Sequence, residues 1–170
     1  MKRSLLRVMS LFAFLLLVGG VAAFQFNLSA LPEPGRMETL LAAKGKRFLI
    51  RRASRGVVPP PPTDRNASLT AGDKLFGTEC SECHGYSGRK PTDAGRWMYP
   101  RAADLGSAEV QGYSDRELFW IVKNGIRLSG MPAFGRVESD KQIWDLVHFV
   151  RTLPANANPK GERDSSLHSE

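Results

Sequence analysis

A chain of 170 residues with a net charge of +7 and a pI near 9.8 invites a nucleic-acid reading, and the distribution of its charge removes that reading. Residues 1–56 hold ten Lys/Arg against Glu33 and Glu38, whereas residues 57–170 hold fourteen Lys/Arg against fifteen Asp/Glu. The basicity belongs to the amino-terminal third, and the length leaves room for one folded domain with appendages.

The chain opens on a basic start, with Lys2, Arg3 and Arg7, followed by the charge-free run Val8–Phe24. That run lies between the core of a secretory signal and a spanning helix, which needs ~17–25 apolar residues. Val21-Ala22-Ala23 offers small residues for cleavage, but the length favours an uncleaved membrane anchor over residues 1–26. The positive flank keeps the amino end cytoplasmic and sends the rest of the chain across the membrane. A bacterial periplasmic location follows, tethered to the inner membrane or soluble after cleavage.

Residues 27–67 are read as a basic stalk and linker. Met37–Ile50 places Met37, Leu40, Leu41, Phe48 and Leu49 roughly on one helical face, with Lys44, Lys46, Arg47, Arg51 and Arg52 around it. Such a helix can lie on an anionic membrane. Gly45 weakens it, so a short solvated helix or a flexible stalk is the preferred reading. Pro59–Pro62 supplies a stiff extended spacer.

The folded unit is placed at residues 68–154, followed by a polar tail, 155–170, expected to be disordered. Thr70, with Asp73 three residues on, is the expected cap of a first helix carrying Leu75 and Phe76. Cys80-Ser81-Glu82-Cys83-His84 closes that helix and contains the only two cysteines of the chain. A c-type haem uses both sulfurs of such a run as thioether links and the adjacent histidine as an iron ligand. Zinc fails on inventory, because only His148 and the tail residue His168 remain to complete a cage. A thiol–disulfide oxidoreductase using Cys80 and Cys83 lacks a strand–helix–strand pattern and gives His84 no role.

A second helix is predicted over Asp115–Asn124, capped by Ser114 and ended by Gly125, and a third over Lys141–Leu153 with Ile143, Leu146, Val147 and Val150 at helical spacing. Ser129–Gly135 lies between them and contains Met131, whose thioether is a suitable soft sixth ligand. Met98 is the rival, but it lies only fourteen residues past His84 and has little chain with which to reach the opposite haem face. His148 sits within a helix, where packing is the more ordinary role. No alternating strand is seen, and the domain is expected to be almost wholly α.

Residues 68–153 resemble a class I bacterial cytochrome c domain, on Gly72, Phe76, Cys80, Cys83, His84, Met131, Phe149 and Leu153 taken in order. The resemblance implies an all-α class I cytochrome c fold wrapped round one covalent haem c. It also implies that Gly72 lets the first and last helices cross closely beside Phe76 and Phe149. By the same resemblance the Pro100 carbonyl would accept from the second nitrogen of His84. Trp97, Tyr99, Arg101, Trp120 and Arg127 are candidates near the propionates. The expected function is one-electron transfer with His84/Met131 ligation between redox protein partners, without enzymatic activity of its own. A dedicated haem subunit of a dehydrogenase or membrane oxidoreductase is the alternative.

Overall fold

The computed structural model describes residues 2–24, 29, 31–60 and 64–153, and it divides into two units, Met1–Glu33 and Pro34–Glu170. Among the described residues the regular structure is helical, with no strand. The expected disordered tail at 155–170, and Pro61 and Pro62 of the proline run, lie outside the described residues.

In the first unit, helix α1 spans Lys2–Phe24. Its described apolar side chains, among them Leu11, Phe14 and Leu17, are exposed. Among the described residues no helix is long and apolar enough to cross a membrane. The expected anchor is therefore not supported.

The second unit begins earlier than its composition suggests. Helix α2, Arg36–Ala53, runs through Gly45 without a break and ends in a 3₁₀ turn at Ser54–Gly56. It packs on the haem-motif unit instead of standing apart as a stalk. Ile50 is 3% exposed and belongs to the main apolar core, and Ser54 is buried beside it. Arg47 donates to the Gly112 carbonyl at 2.6 Å and lies over the Tyr113 ring at 4.9 Å. At the other end of the helix, Tyr99 donates to the Glu38 carboxylate at 2.8 Å. Burial of one Ile contributes about 1.5–3 kcal/mol, more than the ~1 kcal/mol that Gly45 costs the helix.

Helix α3, Arg65–Leu75, is capped by Asp64, whose carboxylate accepts from Asn66 N at 2.8 Å and Ala67 N at 3.2 Å. Thr70 is not the cap that its spacing suggests. Its hydroxyl lies one turn inside the helix and donates to the Asn66 carbonyl at 3.0 Å. A wide π turn at Phe76–Cys80 follows, and then the short helix α4, Ser81–His84. Short helices α5, Asp93–Trp97, and α6, Ala108–Gln111, punctuate the loop beyond.

Helix α7, Asp115–Asn124, has the expected Ser114 cap, reinforced by Glu117, and ends at Gly125 with φ 66°. Helix α8, Asp140–Val150, starts from an unforeseen Ser139 cap with Gln142 at the reciprocal position. Leu118, Phe119 and Ile121 of α7 meet Ile143, Trp144 and Val147 of α8 in the core, where the Phe119 and Trp144 rings stack at 4.5 Å.

Helices α3 and α8 cross closely at Gly72. A Cβ there would run into the Asp145 carbonyl oxygen and stand 2.8 Å from Phe149 Cβ. The Phe76 and Phe149 rings pack beside the crossing with centroids 5.2 Å apart. Ser68, also at the crossing, donates to Asp145 at 2.6 Å and accepts from His148 Nδ1 at 2.8 Å. Lys141 pairs with the other Asp145 oxygen at 2.8 Å, so this buried carboxylate is satisfied.

Candidate functional site

The π turn sets the position of the site. Ser81 N–H reaches back to the Phe76 carbonyl, five residues away, and Ser81 Oγ donates to the Gly77 carbonyl at 2.7 Å. One extra residue in a turn rotates everything beyond it by about 100° relative to the preceding helix face. Phe76 therefore points into the α3–α8 crossing while Cys80, Cys83 and His84 take a different face. The two cysteines are half-buried and not joined to each other.

His84 is held by one hydrogen bond. Its Nδ1–H donates to the Ala103 carbonyl at 2.8 Å, because a carbonyl can only accept. Burial lowers the pKa of the imidazole, and the Ala103 bond opposes that in part. The result is a neutral ring with a fixed tautomer and a free Nε2 lone pair, the form that ligates a metal.

The carbonyl is Ala103's and not that of Pro100. Two backbone bonds decide this: Ala102 N–H donates to Gly95 O at 2.9 Å, and Leu105 N–H to Gly88 O at 2.8 Å. They bracket Ala103 and aim its carbonyl at the ring. Arg89 and Asp104 tie the same strand of loop to the segment after His84 at 2.7 Å. Gly95 is needed here, since its side chain would collide with the Cys83 carbonyl and Ala102 Cβ.

Met131 sits in a turn pinned to the end of α7. Ile126 N–H donates to the Met131 carbonyl at 3.3 Å, Met131 N–H to Ser129 Oγ at 3.2 Å, and Ser129 Oγ to the Ile126 carbonyl at 2.8 Å. Gly125, at positive φ, leaves only 2.7 Å between its missing Cβ and the Met131 and Pro132 carbonyls. The side chain is half-buried against the core. Met98 comes closer than its short separation from His84 suggests. Its Sδ lies 2.5 Å from where a Gly130 Cβ would stand, beside the Met131 turn. Its chain position is the open end of α5, with no comparable set of backbone bonds.

The other candidates divide. His148 is taken up at the α3–α8 crossing by Ser68. Trp97 and Arg127 are exposed, Tyr99 is committed to Glu38, and Trp120 packs on the core. Sequence reasoning missed Glu138. Its Oε2 is buried without a partner, and its charge helps to push up the Cys80 thiol.

The donor chemistry discriminates among the readings. Burial first, then the charge of Glu79, raises the Cys80 pKa to about 12, opposite to the lowered value a redox thiol needs. Among the described residues no group of three or more His, Cys, Asp or Glu could hold a metal ion. Two unjoined thiols three positions apart, followed by an oriented neutral imidazole, fit a c-type haem.

Residues 67–150 match the family model of cytochrome c oxidase, cbb3-type, subunit III. That stretch is a cytochrome c domain of the class I type, and domains of this class carry covalently bound haem c. The chain is also similar to one in the Kuenenia stuttgartiensis reducing HAO-like protein complex, at 26% identity and a TM-score of 0.50. That likeness covers 57% of this chain and 47% of the other. No curated protein matches.

Proposed function

We propose that the domain transfers single electrons through one haem c, attached at Cys80 and Cys83 and ligated by His84 and Met131. The observation that carries this reading is the His84–Ala103 bond within a CxxCH run. Bound there, the haem supplies a one-electron couple at its iron. Cys80 and Cys83 fix its position covalently, and the π turn aims them away from the Phe76 packing face. His84 presents Nε2, and its bond to Ala103 holds the ring angle and strengthens the donor. Met131, set by the Gly125–Pro132 turn, would be the second residue to hold the iron, its thioether sulfur taking a place that a small oxidant would otherwise need. A dedicated haem subunit within a larger redox assembly is the favoured setting, because the matching family is an oxidase subunit and the similar solved chain belongs to a protein complex. Electron donor and acceptor are then protein partners, and the domain works on the outer side of the cytoplasmic membrane. Denaturation and acid–acetone extraction test the attachment: haem should stay on the polypeptide at one per chain. Haem in the organic phase, or two titratable thiols, overturns it.

A further inference from the structure

Helix α2 has two faces. Ala43, Lys46 and Ile50 face the domain, Ile50 buried in its core and Lys46 paired with Glu109 at 3.7 Å. The opposite face is apolar and uncovered: Met37 is 68% exposed, Leu41 66% and Phe48 65%, with Leu40 beside them. At 100° per residue these four side chains span less than a third of the helix circumference. Lys44 and Arg51 fall within the same arc and Arg52 at its edge, and among the described residues none of the three has an ion-pair partner. The only acidic residue of the helix, Glu38, is occupied by Gly35 N–H and the Tyr99 hydroxyl.

We infer that this face of α2 rests on an anionic lipid surface, with Met37, Leu40, Leu41 and Phe48 in the acyl boundary and Lys44, Arg51 and Arg52 on the phosphates. A face that interleaves apolar side chains with long cationic ones and holds no anion matches such an interface in both hydrophobicity and charge, because Lys and Arg stems can lie along apolar surface while their heads reach the phosphates. Contiguous apolar patches are rare on a free surface and mark interaction sites. The opposite face docks the helix on the cytochrome domain, so the lipid contact sets how that domain stands on the membrane. A protein groove or a second copy is the competing occupant, and the test separates them.

The haem-loaded protein as isolated, carrying Phe48→Cys and a nitroxide there, is mixed with vesicles of phosphatidylglycerol and phosphatidylcholine, or of phosphatidylcholine alone. The unsubstituted protein is the control. It should take no label, and labelling of it would reveal free Cys80 or Cys83 and count against the haem reading instead. The accessibility of the nitroxide to oxygen relative to a water-soluble nickel complex should rise several-fold with the anionic vesicles only. Lys44→Gln/Arg51→Gln/Arg52→Gln in the same background should cancel the rise. An unchanged ratio in both vesicles overturns the inference, as does spin–spin broadening, which would mark a second copy on this face.

Discussion

Met131 and His84 are held by different means, and the difference predicts how each responds to change. His84 depends on one side-chain bond to Ala103, whereas Met131 depends on a turn built from backbone bonds around Gly125 and Ser129. Met131→Ala should leave that turn and the covalent haem in place. It should abolish the weak sulfur-to-iron absorption at the red edge of the oxidised spectrum, lower the reduction potential and let the reduced protein bind carbon monoxide. Met98→Ala should do none of these, although Met98 lies against Gly130; if it does, the ligand assignment moves to Met98 while electron transfer stands. Glu138 offers an independent residue-scale test. The side chain is half-buried, its Oε2 is shielded and without a hydrogen-bond partner, and a carboxylate close enough to raise the Cys80 thiol stabilises positive charge nearby. Glu138→Gln removes that stabilisation of oxidised iron, and the potential measured by redox titration should rise by on the order of tens of millivolts.

The α3–α8 crossing carries the fold, and Gly72 is its tightest point. Gly72→Ala would gain about 1 kcal/mol of helix propensity, but its Cβ meets the Asp145 backbone and Phe149 Cβ, neither of which is a flexible tip. Separating the helices also loosens Phe76 against Phe149 and weakens the Ser68–Asp145 bond. The packing loss should win, leaving the variant about 1–3 kcal/mol less stable, read as a lowered denaturant midpoint at unchanged haem content. This crossing was legible through the family resemblance, which rests on Gly72, Phe76 and Phe149 at fixed positions. Helices α7 and α8 were legible too, from a period near 3.6 and, for α7, from Ser114 and Gly125. The π turn was not: nothing in the residues of Phe76–Cys80 announces a single extra residue. Ala103 was missed because a backbone carbonyl leaves no trace in side-chain identity, and the resemblance pointed to Pro100. The docking of α2 was hidden for another reason. Its basic composition reads as a stalk, whereas one residue, Ile50, and two bonds from Arg47 and Tyr99 join it to the domain.

At the scale of the whole molecule, the expected leader, α2 and the cytochrome c domain bear together on where the proposed electron transfer would take place. Lys2, Arg3 and Arg7 before an apolar run are the expected export signal, with Val21-Ala22-Ala23 as its cleavage site. The length rule favours retention of the run, but no described helix meets the requirement for a span, and the domain does not need one if α2 binds lipid. If the leader is removed, the chain begins near Phe24 and the inferred lipid face of α2 is its membrane contact. Mass spectrometry of the mature protein should find that shortened chain. The bound state then has a further property that separates it from an anchored one. Attraction between Lys44, Arg51, Arg52 and phosphate acts through a Debye length that falls from about 10 Å at 0.1 M salt to about 3 Å at 1 M. A chain held only by α2 should therefore leave native membranes in a 1 M salt wash, and Leu41→Glu/Phe48→Glu should release it without salt. A full-length mass together with resistance to both treatments would restore the uncleaved anchor.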